Sequence, residues 1–475
     1  MLNSTAAENR FAVVILAAGK GTRLKSRHPK VLHKIAGRTL LEHVIAATSH
    51  LVPARDTFVV IGHEAERVRA AVESTGVNFV EQPQQRGTGD AMKCAQPALR
   101  GYEHAIVLMG DAPLIRPETL QRLREFHLQQ QADITILTAE PEDPTGYGRI
   151  VRKMVGGRPS ASVAAIVEQK MLSAAQMSLR EINSGIYGFR LSTLFQHIGR
   201  LTDQNAAGEF YLTDMAAIVG EAGGNVVALP AATATEVLGI NSRMELAQLD
   251  AAARARICAA LMNSGVTIYR PETTVIDADV TVGTDTIIEP FVQLVRGSRI
   301  GADCHIQSYC VISNSQVADG VAIRPGCVIT DSVVGAAATL GPYSHLRPGS
   351  EIGEGAHVGN FVETKKVRLG AGAKANHLTY LGDAEIGARV NVGAGTITCN
   401  YDGVHKHETV IEEGAFIGSD STLVAPVRIG AGAYIGAASC ITENVPPDAL
   451  AVGRGRQITK PGWAAARRAQ RNKSG

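Results

Sequence analysis

Two unlike architectures in series are what this sequence predicts: a Rossmann-like α/β domain with a mostly parallel sheet, then a parallel β-helix. Three observations carry the expectation. Short apolar runs alternate with helical patterns through the first half, which yields a parallel sheet covered on both faces. Aliphatic residues then recur at every sixth position over long stretches between Ile276 and Ile441. Parallel β-helices produce that period, and an α-helix of about 3.6 residues per turn does not. Between the two patterns, Ser242 and Glu245 form a capping box ahead of a helical stripe.

In chain order, Val13-Val14-Ile15-Leu16-Ala17-Ala18 reads as a buried strand and Thr39 to Thr48 as a helix. Thr57 to Ile61 is the next strand, followed by a helix from Glu64 to Glu73. Ala105 to Met109 and Ile134 to Leu137 continue the strands. Ligands of such sheets bind at the carboxyl ends of the strands. Leu246, Leu249, Ala253, Ile257 and Leu261 give the connecting helix a packing stripe, and it stops at Asn263-Ser264-Gly265. The expected domains are therefore 1–243, a linker helix at 244–264, and 265–475 with a C-terminal tail.

In the repeat region Ile276, Val282, Ile288, Leu294, Ile300, Ile306 and Ile312 are spaced by six. So are Leu340, Leu346, Ile352 and Val358, and again Ile411, Ile417, Leu423, Ile429, Ile435 and Ile441. Three short strands per coil make a triangular prism with one aliphatic side chain per strand pointing inward. Glycine and small residues suit its tight corners. Cys399 to Thr409 lacks the rhythm and is polar, so it reads as a projecting loop.

Composition excludes several classes. A net charge of +2 gives no broad field for nucleic acid. No apolar run is long enough to span a bilayer and no signal peptide is recognisable, so a cytoplasmic protein is expected. Seven scattered cysteines without a CxxC pair indicate free thiols in a reducing compartment and no zinc site. The basic stretch Arg467 to Lys473 reads as a solvated terminus or as a grip on phosphates.

The first chemical constellation is Leu16-Ala17-Ala18-Gly19-Lys20-Gly21-Thr22-Arg23, with Pro29-Lys30 closing the segment. Glycines after a strand let backbone N–H groups approach a phosphate, while Arg23 and Lys30 add charge. The spacing is neither a Walker A loop nor GxGxxG. The segment resembles the signature of sugar-phosphate nucleotidylyltransferases. Taken with the hexapeptide region, residues 11 to 463 resemble the bifunctional N-acetylglucosamine-1-phosphate uridylyltransferase / glucosamine-1-phosphate N-acetyltransferase family.

That resemblance implies a left-handed prism and two activities. Gln82, Gly87 and Thr88 match a uracil-recognising loop, and Met109, Gly110 and Asp111 follow at a strand end. Met109 stands where some relatives carry Tyr, and Lys153 to Ala165 is longer than in them. Gly148, Glu168 and Asn183 match sugar contacts, while Asp111 and Asn241 match ligands of Mg2+. The implied mechanism is in-line attack of a sugar 1-phosphate on the α-phosphorus of UTP. The phosphate is already ionised, so positioning and charge neutralisation suffice.

In the prism, Arg347 and Lys365 match sugar-phosphate contacts, Tyr380 and Asn391 match groups that orient the sugar, and His377 matches the base. Acyl transfer to an amine needs a proton acceptor with the pKa of imidazole. Ala394, Asn400, Tyr401, Ser419, Ala437 and Arg454 match acetyl-coenzyme A contacts. Corner packing is the alternative reading of Ala394, Ser419 and Ala437. Nothing near Cys399 in the sequence activates its thiol as a nucleophile. Homotrimers are the implied assembly, with Trp463 either reaching a neighbour or lying in a loose tail.

The implied substrates are glucosamine 1-phosphate, N-acetylglucosamine 1-phosphate, UTP and acetyl-coenzyme A, and the product is a cell-envelope precursor. Two other readings stay open on the residues alone. One is a nucleotidylyltransferase whose prism only assembles it; the other is a non-catalytic scaffold.

Overall fold

The computed structural model describes residues 10–156, 158–205 and 208–471. The first nine residues and the end of the basic tail, Asn472 and Lys473, lie outside the described residues. The chain folds as two compact units that divide between Ala253 and Arg254.

The first unit is built on a nine-stranded sheet. Its strands are β1 (Phe11–Leu16), β2 (Thr57–Ile61), β3 (Asn78–Glu81), β4 (His104–Met109), β5 (Ile134–Ala139), β6 (Arg149–Val155), β7 (Arg158–Val167), β8 (Ile182–Arg190) and β9 (Val226–Pro230). Their spatial order is β3-β2-β1-β4-β8-β5-β9-β7-β6. The run β3-β2-β1-β4 is parallel, as is β5 with β9. The later strand β8 slots in antiparallel between β4 and β5. The long segment from Lys153 to Ala165 is the β6–β7 hairpin at the sheet edge.

Period-two alternation along β1 shows why the apolar run is continuous. Val13 and Ile15 pack into one core, with Leu41 and Val44 of α1 (Leu40–Thr48). Ala12 and Val14 pack into the other, with Met92 of α3 (Thr88–Ala95). Helix α2 (Ala65–Val72) adds Val68 and Val72 to the first core. Each fully buried aliphatic side chain contributes about 1.5–3 kcal/mol, so both faces stabilise the sheet. Helix α1 starts where Thr39 Oγ1 accepts from the Glu42 amide at 3.1 Å and Glu42 returns the bond to the Thr39 amide at 2.6 Å.

This topology places the chemistry. Leu16 and Met109 are register partners at the ends of β1 and β4, and the Gly110 amide donates to the Leu16 carbonyl at 3.0 Å. The glycine loop and the Gly110-Asp111 turn therefore leave the sheet side by side.

Helix α4 (Arg243–Asn263) follows the Ser242–Glu245 capping box, in which the Glu245 amide donates to Ser242 Oγ at 3.1 Å. The division between the units falls within α4.

The second unit is a parallel β-helix. Leu294 lies opposite Ile276 and Ile312 opposite Leu294, three hexapeptides on each time. All three are fully buried. The six-residue count is lost after Ile312 because some prism sides hold five residues, as from Ile312 to Val317 and from Ile329 to Val334. Further on, Thr364 and Thr398 take inward positions that aliphatic residues hold elsewhere. Their hydroxyls are satisfied: Thr364 Oγ1 shares a 2.8 Å bond with Ser350 Oγ, and Thr398 Oγ1 accepts from the Gly382 amide at 2.8 Å.

Candidate active sites

A cavity of about 700 Å3 opens at the carboxyl ends of β1 and β4. Leu16, Ala17, Ala18, Gly19, Arg23, Lys30, Gln82, Gly87, Thr88, Met109, Asp111 and Asn241 all line it. These residues come from five separate stretches of chain. Gly21 sits at φ 62, where a β-carbon would run into that of Lys30, so only glycine admits the lysine beneath the loop.

At the cavity wall Lys30 Nζ donates to Asn241 Oδ1 at 2.9 Å and forms an ion pair with Asp111. A carboxylate oxygen and a carboxamide oxygen therefore converge on one positive centre. Hard oxygen donors so placed suit a magnesium-sized cation, which ordinarily takes only one or two protein ligands and fills the rest with water and phosphate. Among the described residues no cluster of three or more His, Cys, Asp or Glu side chains offers an all-protein cage. Close by, burial pushes the Tyr147 hydroxyl up to about 12, with Glu245 and Asp111 adding to the shift.

Gly148, Glu168 and Asn183 do not line this cavity but come together beside one another. The Asn183 amide donates to the Gly148 carbonyl at 2.9 Å, and a β-carbon on Gly148 would lie 3.5 Å from Glu168 Oε1. Asn183 Nδ2 donates to the Tyr187 hydroxyl at 2.8 Å. Burial raises the Glu168 carboxyl above its ordinary range. Met109 links this cluster to the cavity: it lines the cavity, and a β-carbon on Gly185 would lie 3.1 Å from Met109 Cγ. Gly110 stays behind the wall against Leu16 and Ala17.

Sequence reasoning gave Lys20 no role although it stands in the glycine loop, and it missed Arg86 and Glu209; all three line the cavity. Lys20 and Arg86 had a signal in their glycine neighbours; Glu209 had none. Phe210, the next residue, bonds back through its amide to the Arg86 carbonyl at 2.8 Å.

On the prism the candidate groups are placed by register between coils. Asn360 pairs with His377, Glu363 with Tyr380, and Lys374 with Asn391. His377 is exposed, and its Nδ1 meets Asn360 Oδ1 at 2.7 Å. Arg347 Nη1 donates to Glu363 Oε1 at 2.7 Å. Lys365 lies opposite Gly382. A β-carbon on Gly382 would collide with the Tyr380 hydroxyl and lie 2.9 Å from Asn400 Nδ2, so Tyr380 and Asn400 lie over that glycine.

Only the middle of the 399–409 stretch projects: Cys399 ends one strand, Thr409 begins the next, and Asn400 and Thr409 are buried, because strand pairing between coils holds both ends. Residues 401–406 are exposed, Tyr401 bridges to Lys406, and the His407 amide returns to the Asn400 carbonyl at 2.8 Å. Its turn is organised by Asp402. That carboxylate accepts from the His405 amide at 2.6 Å, from His407 Nε2 at 2.7 Å and from the Val404 amide at 2.7 Å, which hold it down at about 2. The loop carries Lys406 against Lys365, and that ammonium, then Arg347, lowers the Lys365 pKa. Lys406 was not foreseen from the sequence. Arg347, Lys365 and Lys406 thus gather positive charge on the outside of the prism, with the Glu363 and Asp383 carboxylates beside them.

Ala394, Ser419 and Ala437 follow one corner along the prism. The amide after Ser419 donates to the Ala394 carbonyl at 2.6 Å, and the amide after Ala437 donates to the Ser419 carbonyl at 2.8 Å. Arg454 Nη1 reaches the Ala437 carbonyl at 2.8 Å. Cys399 is free and half-buried.

Comparison with known proteins agrees with this division. The MobA-like NTP transferase domain family matches residues 13–182. The GMPPB C-terminal domain matches 270–370, and the bacterial transferase hexapeptide (six repeats) matches 408–443. A protein named bifunctional protein GlmU from Koribacter versatilis is 60% identical over 464 residues, covering 98% of each chain. Its namesake from Solibacter usitatus is 50% identical over 459 residues, covering 96% of this chain and 97% of its own. The one from Pelobacter propionicus is 46% identical over 454 residues, covering 95% and 97%.

Proposed function

Because this chain belongs to the family of bifunctional GlmU proteins, we propose to read its two sites as the two halves of one synthesis. The protein is a bifunctional enzyme of UDP-N-acetylglucosamine formation, a cell-wall precursor. It acetylates glucosamine 1-phosphate from acetyl-coenzyme A. It then transfers uridylyl from UTP to N-acetylglucosamine 1-phosphate and releases pyrophosphate. Its nucleotidyl transfer uses a divalent metal with the nucleotide.

One observation carries the first half: the glycine loop, Arg23, Lys30, Asp111 and Asn241 line a single cavity. In this reading the amides around Gly19 and the charges of Arg23 and Lys30 hold the triphosphate and the leaving pyrophosphate. Asp111 and Asn241 would hold Mg2+, which would neutralise charge on the phosphate oxygens. Gln82, Gly87 and Thr88 take the base. Gly148, Glu168 and Asn183 take the sugar, and Met109 lies between sugar and nucleotide. The sugar phosphate oxygen attacks the α-phosphorus as the bond to pyrophosphate breaks.

For the second half, Arg347, Lys365 and Lys406 hold the phosphate of glucosamine 1-phosphate, while Tyr380 and Asn391 orient its ring. His377 takes a proton from the amine, the nitrogen bonds to the thioester carbonyl, and the carbon–sulfur bond breaks. The coenzyme A sulfur leaves and picks up a proton. The corner Ala394–Ser419–Ala437, with Asn400, Tyr401 and Arg454, holds the coenzyme. Cys399 needs no part in this.

We take the assembly to be a homotrimer, on the strength of the hexapeptide prism and its exposed stacked pairs Phe291–Tyr309 and Tyr343–Phe361. A cytoplasmic location is supported by seven cysteines that form no disulfide. No helix among the described residues is long and apolar enough to cross a membrane.

The direct test supplies glucosamine 1-phosphate, acetyl-coenzyme A, UTP and Mg2+ together and identifies the products. UDP-N-acetylglucosamine, pyrophosphate and free thiol are expected. Absence of pyrophosphate removes the first half, and absence of thiol the second.

A further inference from the structure

Gln82 is only 3% exposed, yet it lines the cavity at the end of β3. Its carboxamide nitrogen sits 2.8 Å from Asp90 Oδ2 and 3.0 Å from the Gly87 carbonyl oxygen. Both partners are acceptors only at neutral pH, so the end of the amide facing them is the NH2. With both N–H bonds engaged, the amide has only its carbonyl oxygen left to offer a ligand.

The fold makes this arrangement firm. Gly87 turns at φ 106 against the Phe210 backbone, and α3 begins at Thr88. The turn brings Asp90, in the first turn of α3, back over Gln82.

We propose that Asp90 is a specificity-positioning residue: by holding the Gln82 amide in one orientation, it makes the cavity accept uracil and reject cytosine. This rests on the reading that the cavity takes UTP. A uracil nucleotide has one N–H donor on its base, N3–H. It is the only base hydrogen bond that Gln82 Oε1 can accept. Cytosine presents a lone pair at N3, so two acceptors would face each other at a buried position. With the amide reversed, the NH2 would suit cytosine N3 and oppose the N3–H of uracil. Thymine has the same edge as uracil, so Asp90 does not separate those two.

The test measures kcat/KM for UTP, CTP and dTTP with the full chain, Asp90→Asn and Asp90→Ala. Asparagine keeps the size but can donate as well as accept, so position 90 no longer opposes the reversed Gln82 amide and only the Gly87 carbonyl still does. The ratio of UTP to CTP is expected to fall about tenfold or more in Asp90→Asn, a typical loss when a site ceases to leave the wrong ligand's polar groups unpaired. The ratio of UTP to dTTP stays unchanged. Asp90→Ala loses the same discrimination on top of a general drop.

A helix-stabilising role alone would lower all three nucleotides together. An unchanged UTP to CTP ratio in Asp90→Asn overturns the proposal, as does native enzyme that uses both nucleotides equally. Native enzyme that releases thiol but transfers no nucleotidyl group at all would instead remove the parent reading.

Discussion

The two sites differ in how the chain assembles them. In the first unit, loops from distant parts of the sequence converge at strand ends, and charges arrive already compensated: Lys30 meets Asp111 and Asn241. On the prism, neighbouring coils stack equivalent positions outward. Arg347 has Glu363, yet Lys365 and Lys406 stand together as like charges. A converging site is closed by its own chain. A stacked site is a surface that gains depth only from a projecting loop or another surface, and here two neighbouring lysines face one carboxylate, Asp383.

The largest effects should separate the two halves. Asp111→Ala removes the carboxylate that Lys30 now neutralises. Pyrophosphate release from UTP is expected to fall by about 10²–10³-fold, the scale of losing one charge-stabilising group, while thiol release stays within about twofold of native. His377→Ala should lower thiol release by about 10²–10⁴-fold, the usual worth of a general base, and spare uridylyl transfer. Either variant losing both activities while folded would mean the sites are not independent.

A smaller effect tests the lysine pair on the prism. Lys406→Ala is expected to raise KM for glucosamine 1-phosphate about tenfold, one charge-assisted contact, with kcat changed much less. The same variant removes the main cause that lowers the Lys365 pKa, so the lysine should titrate at higher pH. A KM that does not move would leave Lys406 a bystander in the loop.

How much of this was readable follows the same division. Leu16 to Arg23 could be read directly, because a strand, a glycine loop and a basic residue are consecutive. Asn241 could not: it meets Lys30 from 211 positions away, and only resemblance pointed to it. Asp90 looks in the sequence like any acidic residue in a first helical turn; its partner appears only when the Gly87 turn folds α3 back.

The prism was legible wherever aliphatic residues keep the count. It blurred where five-residue sides shift the frame and where Thr364 and Thr398 replace aliphatics inside. Lys406 was hidden because contact between coils depends on register and loop path, not on spacing in the sequence.

The mildest expected difference concerns acid. The first unit buries a histidine pair beneath Phe11: His104 Nδ1 lies 3.1 Å from His127 Nε2, and His127 Nδ1 lies 2.8 Å from Thr135 Oγ1. Burial, then His104 and Arg190, lowers His127 to about 3, with Asp133 opposing, and burial also lowers His104. Both rings are therefore neutral in the native state, whereas an unfolded histidine takes up a proton near pH 6.5. Below that pH the unfolded chain binds more protons, so this contribution is full above about pH 6.5 and declines as pH falls toward about 3. Each histidine costs at most about 1.4 kcal/mol per pH unit in that window. Hydrogen-exchange protection of β1 and β4 should drop between pH 7 and 5, and His127→Gln, which can keep the Thr135 bond, should flatten that slope. If the slope is the same in both proteins, the acid sensitivity of this unit arises elsewhere.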